Sequence, residues 1–132
     1  MIKYLLDTDM IVDIIRSPQS VASQNVREVS LASCAITDLT LFELYCGAAA
    51  SDNTLANKVI VDNLKSQITV LNSSDAYFEA ASQKVMLKRS GKLIEDFDLL
   101  IGCTAKVHAM TLVTGNLKHM SRIEGLEVCC WR

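Results

Sequence analysis

The sequence has little proline, little glycine and no long apolar run. One proline and five glycines occur among 132 residues, which argues against a flexible linker or a low-complexity segment. No apolar run approaches the roughly 18 residues that a membrane helix needs. The first residues, MIKYLLDTD, turn acidic too soon for a signal peptide. We therefore expect a soluble, cytoplasmic protein that does not enter a membrane.

The cysteines are not spaced as in a disulfide framework or a zinc site. There are five, an odd number, with no CxxC pair: Cys34, Cys46, Cys103, Cys129 and Cys130. This pattern argues against a set of disulfides and against a zinc site. A catalytic cysteine would need a histidine and an orienting group beside it, and no segment supplies both. We expect all five thiols to be reduced.

The charge is nearly balanced, with 13 Lys and Arg against 15 Asp and Glu and a net charge of −2. A protein that coats nucleic acid would have a domain pI above about 9, whereas the pI here is about 5.6. The balance still permits an enzyme that contacts nucleic acid at one place. The length predicts one domain, residues 1–132.

Short apolar runs alternate with segments of helical periodicity. The predicted strands are 2–6, 33–37, 68–71, 111–114 and 126–130. The predicted helices are 9–16, 20–31, 39–50, 53–66, 75–90 and 97–109, the last apolar nearly all round. This alternation predicts an α/β fold with a mostly parallel sheet of four to five strands.

Carboxylates occur where such a sheet binds ligands, beyond the carboxyl ends of its strands. Asp7 follows the first strand, Glu43 lies within an apolar helix, and Asp98 lies at the start of the apolar helix. An acid in apolar surroundings is costly unless it is paired. If these three side chains converge, they would bind Mg²⁺ or Mn²⁺, which prefer hard oxygen ligands.

Each acid also has a purely structural interpretation. Asp7 can start a turn, Glu43 can complete a capping box with Thr40, and Asp98 can favour the helix dipole. Asp96 can either cap its helix or act as a second acid beside the metal. Taken together and in order, the acids favour a functional site.

Four segments resemble the PIN-domain ribonucleases and, among them, the VapC toxins of bacterial VapBC toxin–antitoxin pairs. They are YLLDTD (4–9), ITDLTLFELYCGA (36–48), IEDFDLLIGCTA (94–105), and LVTGNLKHM with RIEGLEV (112–128). The resemblance implies a single PIN domain, a three-layer α/β/α sandwich. It also implies that Asp7, Glu43 and Asp98 bind the metal.

By the same resemblance Thr8 and Asn116 line the site. PIN domains often carry a fourth acid where this chain has His119. We therefore expect three metal-binding acids and a histidine that contacts phosphate. Lys88, Arg89 and Lys92 form a basic run that is either solvated surface or a contact to backbone phosphates. We expect metal-assisted phosphodiester hydrolysis, with Asp98 or Asp96 positioning the water.

The resemblance further implies a structured RNA substrate, first a tRNA anticodon stem-loop and second a ribosomal RNA loop. It implies a VapB-type antitoxin, a homodimer, and contact with DNA only through the antitoxin.

Three alternatives remain at this point. One is a PIN nuclease of RNA maturation that is not a toxin. Another is a haloacid-dehalogenase-type phosphatase with Asp7 as nucleophile and Asp9 as acid. The third is a receiver-like signalling module, which fits poorly because Asn72 and Gly115 stand where an acceptor Asp and a Lys are needed.

Overall fold

The computed structural model describes all 132 residues and contains one five-stranded sheet. The strands are β1 (Tyr4–Leu6), β2 (Cys34–Thr37), β3 (Thr69–Leu71), β4 (Thr111–Val113) and β5 (Val128–Cys129). Their order across the sheet is β3-β2-β1-β4-β5, and every neighbouring pair is parallel. The predicted mostly parallel sheet is confirmed.

Seven α-helices connect and follow the strands. They are α1 (Thr8–Arg16), α2 (Val21–Val29), α3 (Asp38–Ala50), α4 (Thr54–Gln67), α5 (Tyr77–Arg89), α6 (Asp96–Val107) and α7 (Leu117–Met120). Six of them match predicted helices, but α7 was not predicted, because four residues are too few to show helical periodicity. None of the helices is both long and apolar enough to span a membrane.

Successive strand residues point to opposite faces of the sheet and supply two separate cores. Leu5 and Leu112 lie in one core, with α5, α6 and α7. Leu6 and Val113 lie in the other, with α1, α2, α3 and α4. Helices therefore cover both faces, and the chain forms the expected three-layer α/β/α sandwich. The apolar helix α6 is buried as expected, with Ile101 fully excluded from solvent.

The strand order places a crevice beside β1. The chain runs from β1 outward through β2 to β3 and later returns to β4 on the other side of β1. In open parallel sheets, ligands bind at the point where the order reverses, outside the carboxyl ends of the strands. The residues that follow β1 and β4 therefore flank the expected ligand site.

All five cysteines are free, as predicted. Cys34 and Cys103 are buried, and burial raises the pKa of the Cys103 thiol to about 12. A thiol with so high a pKa is not a nucleophile at neutral pH.

Candidate active site

Asp7 is the most buried acid of the chain and lies directly after β1. It is only 5% exposed, and it is the N-cap of α1, because its Oδ1 accepts a hydrogen bond from the Thr8 backbone N–H at 2.8 Å. Burial is the largest cause that raises its pKa to about 6, and the charge of Asp9 raises it further. Asp7 can thus start the turn into α1 and also take part in a functional site.

The residues after β4 hold the second oxygen of Asp7. The Thr114 hydroxyl donates to Asp7 Oδ2 at 2.8 Å and accepts from the Asn116 backbone N–H at 2.9 Å. The Asp7 backbone N–H donates to Val113 O at 2.9 Å. These bonds join the ends of β1 and β4 and fix the position of the carboxylate.

Glu43 reaches the same place from the middle of α3. Its Oε1 accepts from the Thr8 hydroxyl at 2.6 Å, and Thr40 Oγ1 lies 3.1 Å from Thr8 Oγ1. The capping-box interpretation is wrong, because α3 begins one turn earlier and Thr37 caps it by accepting from the Thr40 N–H.

Asp98 approaches from the first turn of α6 and is half-buried. Burial raises its pKa, and the charges of Glu43, Glu95 and Asp9 raise it further, while His119 lowers it. The influence of Glu43 on the Asp98 pKa means that acids from two different helices act on one another.

One open cavity of about 420 Å³ collects these acids. It is lined by five carboxylates, two arginines and three other side chains: Asp7, Asp9, Asp13, Glu43, Asp98, Arg16, Arg132, Thr8, Val12 and Asn116. The predicted set Asp7, Glu43 and Asp98 is thus brought together, with Thr8 and Asn116 beside it.

The donor set suits a hard divalent cation. No three His, Cys, Asp or Glu side chains lie close enough to hold a metal without other ligands. Mg²⁺ does not need such a cage, because it usually keeps several waters and binds through one or two carboxylates together with a substrate phosphate. Two carboxyls with raised pKa values, Asp7 and Asp98, also indicate a place where positive charge would be stabilised.

Four charged residues of the cavity were not predicted for the site. Asp9, Asp13 and Arg16 lie on one face of α1 at intervals of four and three residues, a spacing that is visible in the sequence. Asp9 Oδ2 accepts from the Gly115 N–H at 2.9 Å. Arg132 had no sequence signal; its Nε donates to Asp13 Oδ2 at 2.9 Å.

Asp96 does not join the cluster. Its carboxylate accepts from Lys84 Nζ at 2.8 Å on an exposed surface, and it does not line the cavity. It is not the helix cap either, because Glu95 occupies that position and makes no side-chain capping bond. The first-turn position of Asp96, two residues before Asp98, points its side chain to a different face of α6.

The predicted phosphate contacts other than Thr8 and Asn116 do not line the cavity. His119 is exposed on α7 and does not line it, although its charge affects the pKa of Asp98. Lys88 and Arg89 lie in the last turn of α5, and Lys92 lines a separate cavity. None of these four residues lines the acidic cavity, and their contact with backbone phosphates stays a prediction.

A second, more apolar cavity of about 260 Å³ adjoins the first. The two share Thr8, Val12, Arg16 and Glu43. Beyond the shared residues, the second cavity runs between α1, α3 and α4 over Ile15, Leu44, Gly47, Ala48, Ile60 and Val61, among others. A Cβ atom at Gly47 would meet nothing within 4 Å, so this part of the groove is open.

The chain matches the family model of the PIN domain over residues 4–126. It is 30% identical over 138 aligned residues to "Ribonuclease VapC2" of Haemophilus influenzae, with 99% of each chain covered. It is 29% identical over 134 aligned residues to "tRNA(fMet)-specific endonuclease VapC" of Shigella flexneri, again with 99% of each chain covered.

Solved structures agree with this assignment. The chain superposes on a chain of DNA-bound VapBC from Salmonella typhimurium with a TM-score of 0.92 and 26% identity over the whole of both chains. A chain of promoter-bound VapBC2 from Rickettsia felis gives a TM-score of 0.88 and 28% identity, also over both full chains. The chain therefore belongs to the PIN-domain family and, within it, to the VapC ribonucleases.

Proposed function

We propose that this chain, as a single PIN domain spanning residues 1–132, is the toxin of a toxin–antitoxin pair and cuts a structured RNA, first of all a tRNA at its anticodon stem-loop. The observation that carries the nuclease proposal is the convergence of Asp7, Glu43 and Asp98 on one open cavity at the reversal of strand order. The tRNA proposal is supported by the name of the Shigella flexneri relative, a tRNA(fMet)-specific endonuclease.

The phosphatase alternative is set aside. The chain matches the family model of the PIN domain over residues 4–126, and Asp7 shares its cavity with Glu43 and Asp98, the acids that the nuclease proposal requires.

We propose that Asp7, Glu43 and Asp98 hold the metal, one or two of them as direct ligands and the remainder through metal-bound water. When bound, Mg²⁺ or Mn²⁺ supplies positive charge against the scissile phosphate and lowers the pKa of a water molecule. Thr8 positions Glu43 through its 2.6 Å hydrogen bond. Asn116 also lines the cavity and would donate to the phosphate, and half-buried Asp98 would position the attacking water.

The Thr8→Val variant tests this positioning role. Valine keeps the shape of threonine but cannot donate to Glu43, so we expect about ten- to a hundredfold less cleavage at low Mg²⁺, partly recovered at high Mg²⁺. The measurement is the cleavage rate as a function of Mg²⁺ concentration. Thr69→Val, on exposed edge strand β3, is the matched control. An unchanged Mg²⁺ dependence would remove Thr8 from the proposal.

A VapB-type antitoxin is the partner that the second cavity fits. Antitoxin chains occur in the VapBC complexes of Salmonella typhimurium and Rickettsia felis. The apolar groove between α1, α3 and α4 runs directly into the acidic cavity. A segment with apolar side chains followed by a basic one would fill the groove and place its cation among the carboxylates, which blocks the site.

We also propose a homodimer, in which DNA is contacted only through the antitoxin. Exposed aromatic side chains on α3, α5 and α6 support an apolar interface: Phe42, Tyr77, Phe78 and Phe97. Phe42 and Phe97 pack edge to face at 6.1 Å between ring centroids. The net charge of −2 does not favour direct DNA binding by this chain.

Cleavage of total cellular RNA by the purified protein tests the proposed function. The products are mapped by sequencing their new 5′ ends, with Mg²⁺ or Mn²⁺ and with EDTA. We expect one discrete cut in one tRNA that requires the metal. A discrete cut in ribosomal RNA would correct the substrate, and no cut by folded protein free of inhibitor would refute the nuclease proposal.

A further inference from the structure

A basic cavity of about 490 Å³ lies between the end of α5 and α7, separate from the acidic one. Its charged and hydroxyl-bearing lining includes Lys92, Lys118, Arg122, Ser90, Ser121 and Glu124. The lining thus contains three cations, one carboxylate and two hydroxyl groups. Cations and hydroxyls together are the usual ligands of phosphate groups.

The cations that line this cavity and those at the end of α5 have no acidic partners. Lys84 and Lys106, nearby on α5 and α6, are paired with Asp96 and Glu79. By contrast, no ion pair involves the three cations of the cavity or the two at the end of α5, Lys88 and Arg89. Positive charge is therefore concentrated here in a chain whose net charge is −2.

The cavity is held in shape by hydrogen bonds. Arg122 Nη1 donates to Leu93 O at 3.1 Å and ties the segment after α7 to the loop after α5. The Lys92 N–H donates to Leu87 O at 2.8 Å, and Gly91 turns the chain with a φ of +69°. Lys92 is thus carried by a fixed turn rather than by a loose loop, so a ligand does not have to order it.

The basic cavity is next to the acidic one along the chain. Asn116 lines the acidic cavity and Lys118 lines the basic one. Residues two apart have Cα atoms within about 7 Å of one another. The short helix α7 therefore separates two sites of opposite charge, one suited to a metal ion and the other to phosphates.

We infer that the basic cavity binds backbone phosphates of the RNA substrate on one side of the scissile bond, with Lys92 and Lys118 as the contacts. The inference rests on the proposed nuclease function, which places the scissile phosphate in the acidic cavity. Only two of the nine residues that line the basic cavity are apolar. A peptide partner would need apolar pockets, whereas a nucleic-acid backbone needs only charge and hydroxyl groups.

The double variant Lys92→Glu with Lys118→Glu tests the inference. Both side chains are exposed and make no hydrogen bond through Nζ, whereas Arg122 is kept because it holds the loop. The matched control is Lys3→Glu with Lys65→Glu, which changes the net charge equally at two exposed, unpaired lysines elsewhere. Thermal unfolding checks each fold, and Lys92→Gln with Lys118→Gln replaces the first pair if it does not fold.

Binding is measured by fluorescence anisotropy with a labelled tRNA in EDTA over a series of salt concentrations. For the cavity variant we expect at least about tenfold weaker binding than for the control, and a salt slope smaller by roughly 1 to 2. Affinity and slope equal to those of the control would overturn the inference, as would wild-type protein that binds no tRNA. Because EDTA stops metal-dependent cleavage, this result is independent of the cleavage test of the proposed function.

Discussion

The Asp7→Asn variant is expected to cleave RNA at least about a thousandfold more slowly than the wild type. Asn keeps the size of Asp and can still accept from the Thr8 N–H, so the start of α1 remains capped. It has no negative charge, however, and the site loses its most buried anionic ligand. A loss of about 4 kcal/mol of transition-state stabilisation corresponds to a factor of about a thousand.

Asp96→Asn is the matched control for this experiment. The change is chemically the same and also affects an acid at the start of a helix, but the Asp96 carboxylate pairs with Lys84 outside the cavity. We expect its cleavage rate to stay within about threefold of the wild type, since an exposed ion pair contributes little. The assay is the initial rate on the mapped RNA. Equal losses of cleavage rate in the two variants, or no loss in Asp7→Asn, would contradict the assignment of Asp7 to the active site.

The sequence predicted the sheet and the principal acids for identifiable reasons. Each strand is a short apolar run that stops at a polar residue, and Asp7 and Thr114 mark two of those stops. Glu43 was detectable because a carboxylate inside an apolar helix needs a partner, and the Thr8 hydroxyl is that partner.

What the sequence does not contain is the order of the strands. Only the pairing of β1 with β4 brings Thr114 within 2.8 Å of Asp7, although 107 residues separate them. The next pairing, of β4 with β5, carries the chain back so that Arg132 reaches the mouth of the cavity beside Asp13. Such contacts between distant segments leave no periodicity for local reasoning to detect.

Asp96 and His119 lie outside the cavity for a different reason, the direction of side chains on a helix. Residues two apart on a helix point to different faces, so Asp98 faces the cavity and Asp96 faces Lys84. His119 is three residues after Asn116, but α7 begins between them and turns the imidazole outward. His119 therefore does not line this cavity.

The second large effect is expected on stability: without metal, Asp7→Asn should unfold at a higher temperature than the wild type at pH 7.5. The pKa of Asp7 rises from 3.8 to about 6 in the folded protein, and each unit corresponds to 1.36 kcal/mol. Keeping the ionised carboxylate buried thus costs about 3 kcal/mol. The variant loses the hydrogen bond that Thr114 donates, about 1 kcal/mol, which leaves a net gain of about 2 kcal/mol.

The sign of the pH dependence follows from the raised pKa. Below pH 3.8 Asp7 is protonated in both the folded and the unfolded wild type, so there is no penalty. Between about pH 4 and pH 6 the unfolded chain ionises first, and the folded wild type loses stability relative to it. Above about pH 6 the penalty is complete. The advantage of Asp7→Asn should therefore be absent at pH 4, grow through this window and then stay constant.

Thermal unfolding in EDTA at pH 4.5 and pH 7.5 measures this difference, which we expect to reach roughly 7 °C at the higher pH. Added Mg²⁺ should then raise the unfolding temperature of the wild type and leave that of Asp7→Asn unchanged, because a ligand stabilises only the form that binds it. If the difference in unfolding temperature between the two proteins depended on neither pH nor Mg²⁺, Asp7 would be an ordinary helix cap. The predicted pattern would instead mean that this fold carries a destabilising anion whose cost the metal removes.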